Sequence, residues 1–302
     1  MRPGMIFAAI VAMLSVVSTG VLASPEQSPQ LTSPGIQERI SVAVEGTGTD
    51  VILIPGLASS RDVWTDLADQ LRQSHRLHLV QISGFAGSPA VPDPDAKVAA
   101  PAAEAIAEYI RRVHIEAPAI IGHSMGGTVA LMLGARHPDQ IGRLMVVDAL
   151  PFYPLLFDPS ATSETAAPHA AQMRDTMLAA SPEQNEAMQK ASIAGLTKTE
   201  AVRPGLVEAG VRSDRQTVAD ALYEVMTTDL RPELSRVKVP VEVVYAYDTA
   251  YPLPASNFDA MYRNAYASTP DVSFRRIDDS FHFIMLDQPE RFSSAVREFL
   301  SN

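Results

Sequence analysis

The sequence predicts an α/β fold: a mostly parallel sheet with helices on both faces, interrupted by an inserted helical cap. Three observations carry this. Short apolar runs alternate with amphipathic segments of about ten to fifteen residues, the pattern of a buried parallel sheet and its crossover helices. The run Ala119-Ile120-Ile121-Gly122-His123-Ser124-Met125-Gly126-Gly127 passes from buried strand through a tight turn into a helix. Between Ala149 and Arg236 the alternation stops and helical signals dominate, then strands return.

Residues 40–44 alternate apolar and polar, and Gly46-Thr47-Gly48 turns the chain toward a strand at 51–54. Residues 61–71 place Val63, Trp64, Leu67, Ala68 and Leu71 at helical spacing, with Trp64 packing its helix near the preceding loop at 55–57. A strand at 77–82 precedes the glycine loop 83–88. A helix over 98–113 repeats Ile106, Ile110 and Val113. After the strand that begins at Ala119 comes a helix over 128–135, then a strand at 144–147. In the cap, Pro151, Pro154 and Pro159 punctuate an apolar stretch, and Ser181-Pro182-Glu183-Gln184 carries a capping hydroxyl, a first-turn proline and a glutamine three residues on. Ser213-Asp214-Arg215-Gln216 repeats that start signal. Strands at 239–246 and 272–277 and a final amphipathic segment ending at Leu300 complete the chain. The expected division is a core of 40–149 and 237–302, with the cap, 150–236, inserted between the first six and last two strands.

Within the turn, Gly122 and Gly126 remove the Cβ atoms that would clash, which lifts the Ser124 hydroxyl onto an exposed elbow facing a helix N-terminus. A bare G-x-S-x-G is a weak pattern; bounded by strand and helix it is a strong one. Downstream stand Asp248, after the strand 239–246, and His282, in a loop after the last strand. The order serine, acid, histidine, with Val51-Ile52-Leu53-Ile54-Pro55-Gly56-Leu57 upstream, resembles the α/β-hydrolase superfamily in its esterase and lipase-type branch, from about Ile40 to Leu300 apart from the cap.

That resemblance implies the α/β-hydrolase fold and a serine hydrolase acting on carboxylic esters through an acyl-enzyme. Ser124 is the implied nucleophile, His282 the base and Asp248 the acid, with Asp148, at the end of the preceding core strand, as the alternative acid. The N–H groups of Leu57 and Met125 are the implied oxyanion donors. Pro55 departs from the histidine-glycine pair that often opens this loop, which removes a supporting side chain and leaves the Leu57 donor. His123 is given a packing or supporting role. Asp278, Asp279 and Asp287 solvate or brace the histidine loop. Phe152, Leu155, Leu156, Phe157, Met173, Met177 and Met226 either line an acyl pocket or pack cap on core. Amide, lactone and carbon–carbon bond hydrolases share such a triad, and a ligand-binding protein with negligible turnover is the rival of another class. A carboxylate at the elbow would mark dehalogenases and epoxide hydrolases, and Ser124 disfavours both.

The 302 residues carry a net charge of −11, which argues against nucleic acid or an anionic membrane as the main partner and leaves a small ester-like molecule as substrate. Cysteine is absent, so disulfides and a thiol nucleophile are excluded. No histidine pair has zinc-site spacing, and the chemistry needs neither metal nor cofactor. Arg2, an apolar stretch over 5–17 and Val21-Leu22-Ala23 before Ser24 read as a cleaved signal peptide over 1–23, followed by a Pro- and Ser-rich leader over 24–39. The apolar stretch is shorter than the roughly 20 residues that a membrane span needs. Export to a periplasmic or secreted location is the expectation; oligomeric state is left open.

Overall fold

The computed structural model describes residues 39–93 and 95–301, so the expected signal peptide and the leader up to residue 38 lie outside the described residues. Seven strands form one sheet: β1 (Ile40–Gly46), β2 (Thr49–Ile54), β3 (His75–Ile82), β4 (Ala119–His123), β5 (Arg143–Val147), β6 (Val241–Tyr247) and β7 (Val272–Asp278), in the order β1-β3-β2-β4-β5-β6-β7. Only β1 runs antiparallel to its neighbour. Among the described residues five strands precede the cap and not the expected six; the five are those placed individually along the sequence.

Side chains of successive strand residues point to opposite faces. Val51 and Leu53 of β2 therefore join one core cluster, and Ile52 and Ile54 join the other. A central strand of a parallel sheet is buried on both faces, which is why it reads as a continuous apolar run. On one face lie α1 (Thr65–Leu71) and α10 (Pro289–Ser301), through Leu67, Phe292 and Val296. On the other lie α2 (Ala99–Arg112), α3 (Met125–Arg136) and α8 (Ala255–Ala265), through Ile106, Val129 and Phe258. The helix expected over 61–71 is a 3₁₀ turn at Arg61–Trp64 that continues as α1, opened by the Ser60 hydroxyl accepting the Asp62 N–H. In α3 every residue but the last is buried, so the helix that follows Ser124 is the most enclosed among the described residues.

Between β5 and β6 the chain leaves the sheet for α4 (Ser163–Ala179), α5 (Pro182–Leu196), α6 (Arg203–Arg212) and α7 (Arg215–Thr227), where α4 packs on α7 and α5 on α6. Ser181 and Gln184 form the expected capping box. The second start signal is displaced by one residue. Asp214 caps α7 by accepting the Thr217 N–H, while the Ser213 hydroxyl donates to the Ala209 carbonyl and accepts the Ala86 N–H. An ionised carboxylate outcompetes a neighbouring hydroxyl that already has partners. Glu224 of α7, 1 % exposed, turns back onto the core and accepts the N–H groups of Val98, Ala99 and Ala100 at 2.6, 2.7 and 3.0 Å. It supplies the cap that the first turn of α2 has no side chain of its own to provide. Phe152 and Leu155 are buried in the core cluster and Met226 is buried too, whereas Phe157 is exposed. Cap–core packing is the role these contacts give Phe152 and Leu155.

Candidate active site

Parallel strands present their carboxyl ends to one edge of the sheet, and ligands bind there in α/β proteins. Ser124 follows β4 at that edge with φ 55° and ψ −122°, a conformation costly for any residue with a Cβ. Its N–H donates to the Val147 carbonyl at 2.9 Å, and its own carbonyl accepts the N–H groups of Gly127 and Thr128. The elbow glycines are required by contact. A Cβ on Gly122 would come within 2.1 Å of the Gly126 carbonyl oxygen, and one on Gly126 within 2.3 Å of the Ile54 carbonyl oxygen. The loop after β2 lies against the same point, since a Cβ on Gly56 would meet the Ser124 Cβ at 3.0 Å. That places Gly56 beside Ser124, and Leu57 follows it in the same loop; Met125, next after Ser124, is the first residue of α3.

His282 stands in the loop between β7 and α9 (Ile284–Asp287). Its Nδ1 lies 2.6 Å from Oδ2 of Asp148, the alternative acid, and not beside the expected Asp248. An ionised carboxylate can only accept, so Nδ1 carries the proton and Nε2 is left as the acceptor. Asp148 directly follows β5 with φ 47°, and its Oδ1 accepts the Ala246 N–H at 2.9 Å and the Tyr262 hydroxyl at 3.1 Å. Burial holds the Tyr262 phenol well above its ordinary pKa of 10.0, with the Asp148 charge adding to it, so it remains a donor.

Asp248 has another task. Lys198, from the cap, donates to its Oδ2 at 2.5 Å and the Ala250 N–H to its Oδ1 at 2.8 Å. Burial pushes this carboxyl up, but the Lys198 ammonium and the Ala250 N–H together hold it below its ordinary range. The expectation that Asp248 orients the histidine is corrected on this ground: its oxygens are taken by a cap lysine and a turn.

Four residues shape the surroundings of this pair: His123 and Trp64, for which packing or supporting roles were expected, and Tyr262 and Lys198, which the sequence did not single out. His123, wholly buried, donates from Nε2 to the backbone carbonyl of His282 at 3.0 Å, and the two rings lie 4.5 Å apart. A carbonyl only accepts, which fixes the His123 tautomer. Burial, then repulsion from His282, lowers its pKa well below 6.5 and keeps it neutral. Trp64 is buried edge-on against His123 and stacked on Phe292. The Tyr262 hydroxyl donates to Asp148, and the Lys198 ammonium donates to Asp248. Asp287 braces the histidine loop, as expected, by accepting the Phe281 N–H at 2.9 Å, while Asp278 pairs with Arg276. Among the described residues no group of three or more metal-binding side chains converges, and no helix is long and apolar enough to cross a membrane.

A family profile described as the α/β hydrolase fold matches residues 50–220. The chain is 28 % identical over 261 residues to the pimeloyl-[acyl-carrier protein] methyl ester esterase of Chromobacterium violaceum, a match that spans 84 % of this chain and 95 % of that one. Among solved structures, the enol-lactonase of Burkholderia xenovorans superposes with a TM-score of 0.70 at 19 % identity, covering 87 % of this chain and 96 % of the other. A thermophilic esterase of Thermogutta terrifontis does so with a TM-score of 0.70 at 22 % identity, over 90 % and 96 %. These structural likenesses speak to the fold.

Proposed function

The chain belongs to the α/β-hydrolase fold family, and from that membership we propose that it is a serine hydrolase of carboxylic esters in which Ser124, His282 and Asp148 act together. The observation that carries the reading is the 2.6 Å contact between His282 Nδ1 and Asp148, taken with the strained turn that holds Ser124 at φ 55° after the neighbouring strand. A serine hydroxyl is a weak nucleophile until a base takes its proton. In the proposed cycle Ser124 Oγ attacks the ester carbonyl while His282 Nε2 accepts the hydroxyl proton. The N–H groups of Leu57 and Met125 hold the oxyanion. Collapse breaks the bond to the leaving oxygen, and His282 returns its proton to the departing alcohol. Water, deprotonated by the same nitrogen, then cleaves the acyl-serine bond and frees the acid. Asp148 stays ionised throughout and stabilises the imidazolium. Losing one oxyanion donor costs about 2.7–4 kcal/mol in such sites, so the glycine that brings the Leu57 loop to Ser124 is part of the chemistry.

The relatives named for a methyl ester support the ester reading, and make methyl esters of carboxylic acids the first substrates to try. The test is labelling by a fluorophosphonate probe together with turnover of a panel of esters, a lactone and an amide, for the natural chain and for Ser124→Ala. The expected result is labelling and ester turnover that both vanish in Ser124→Ala. Turnover that survives the substitution would overturn the mechanism, and an unlabelled, inactive natural chain would favour the ligand-binding rival. The proposal includes export, with a released chain whose mass begins near Ser24.

A further inference from the structure

We propose that cap residues 197–199 form a positioning bracket for His282, bolted by Asp287, so that the cap takes part in holding the base and does more than shape the acyl pocket. This rests on the reading of His282 as the base. The Asp287 carboxylate gathers five donors. From the cap come the hydroxyls of Thr197 at 2.6 Å and Thr199 at 2.9 Å, and the N–H groups of Lys198 and Thr199, each at 3.0 Å from Oδ1. From the histidine loop comes the Phe281 N–H, 2.9 Å from Oδ2. On the other side of His282, the Phe283 N–H donates to the carbonyl of Leu196 at 3.0 Å. Both peptide neighbours of His282 are thus tied to the cap, one directly and one through Asp287.

Lys198 adds a third attachment. Its ammonium pairs with Asp248 and lies 5.8 Å from the centre of the Phe281 ring. The core holds His282 through His123 on its carbonyl and Asp148 on its ring. Hydrogen bonds to an ionised carboxylate are shorter and stronger than neutral ones, so the Asp287 cluster is the stiffest link between cap and loop. A shift of 197–199 moves the Phe281 N–H and carries the imidazole with it. Misplacement by about 1 Å can cost about a hundredfold in rate.

The experiment compares the natural chain with Thr197→Val/Thr199→Val, which keeps the shape of both side chains and removes only the hydroxyls, and with Thr197→Ser/Thr199→Ser, which restores them. Asp287→Asn is the second route to the same loss. Three readouts are taken on protein whose thermal unfolding remains cooperative: kcat and KM on an acetyl and a long-chain ester, and the far-downfield proton resonance of His282 Nδ1, identified by its loss in Asp148→Asn. The bracket predicts that the valine pair lowers kcat about tenfold on both esters alike with KM little changed, that the resonance shifts or broadens, and that the serine pair recovers most of the rate. A loss confined to the long ester, or an unmoved resonance, would overturn it. Where the natural chain turns over none of the esters, the hydrolase reading fails, and the resonance still decides whether 197–199 holds the imidazole.

Discussion

Asp148 and Asp248 both sit just past the end of a core strand, and the difference between them is made by their donors. At Asp148 the chain turns with φ 47°, and the carboxylate meets His282, Tyr262 and the Ala246 N–H; at Asp248 it meets Lys198. Asp148→Asn removes the charge that stabilises the imidazolium and favours the wrong tautomer, and the comparable change in a serine protease lowers turnover about 10⁴-fold. We expect a loss of that order for Asp148→Asn and a loss of less than about tenfold for Asp248→Asn, measured as kcat on one short ester. The reverse ranking would return the acid to Asp248. His123 sets a second expectation. Its pKa in the folded protein lies well below 6.5, so below that pH the unfolded chain binds a proton that the folded one refuses. Stability then falls on acidification. His78, whose pKa burial also lowers, acts in the same direction. His123→Phe removes the first of these, so its unfolding free energy should fall less between pH 7 and pH 5 than that of the natural chain in urea titrations. Equal slopes would mean that His123 takes up its proton in the folded state.

Among the elements, the strands and the elbow were legible because their signals are local: alternation or continuity of apolar residues, and glycines where a Cβ meets backbone. The start of α7 was misread by one residue because Ser213 is occupied by Ala209 and Ala86, partners that the sequence does not reveal. The carboxylate partner of His282 is hidden for the same kind of reason on a longer scale. Two aspartates with the same local context are told apart by a lysine 50 residues away on the cap, a pairing with no local trace. The first turn of α2 is another case, since its cap is Glu224, more than 120 residues downstream. Glu224→Gln keeps the volume but turns an amide N–H toward backbone donors and removes the charge that favours a helix N-terminus. The expected cost is about 1–3 kcal/mol of unfolding free energy, read from urea midpoints at constant slope. A cost within about 0.5 kcal/mol, the level of ordinary surface substitutions, would show that the turn finds other partners.

Across the whole molecule, the cap is a single insertion joined to the core at separated places: Glu224 on α2, Lys198 on Asp248, and residues 197–199 on Asp287. Phe152 and Leu155 add apolar contact with the main core cluster. Two of these attachments rest on carboxylates, Asp248 and Asp287, so strong acid should loosen them. The carboxyls of Asp248 and Asp287 are both held below 3.8, the first by Lys198 and the second by Thr197 and three N–H groups, against the opposing pull of burial. Their stabilisation is present above the unfolded carboxyl range and is lost as pH falls through the lowered values.

The Glu224 attachment gives the motion of the cap a reporter inside the core. Amide protons in the first turn of a helix normally exchange with solvent deuterium quickly, because no intrahelical carbonyl protects them. Here the amides of Val98, Ala99 and Ala100 are held by a side chain of the cap. They should exchange slowly, and at the rate at which α7 lifts from α2, while amides deeper in α2 wait for global unfolding. Deuterium uptake by the peptide spanning 98–101 therefore measures how often the cap opens, without a probe on the cap itself. In Glu224→Gln that peptide should label within the fast phase of the surrounding turns, and unchanged protection would assign it to some other shield.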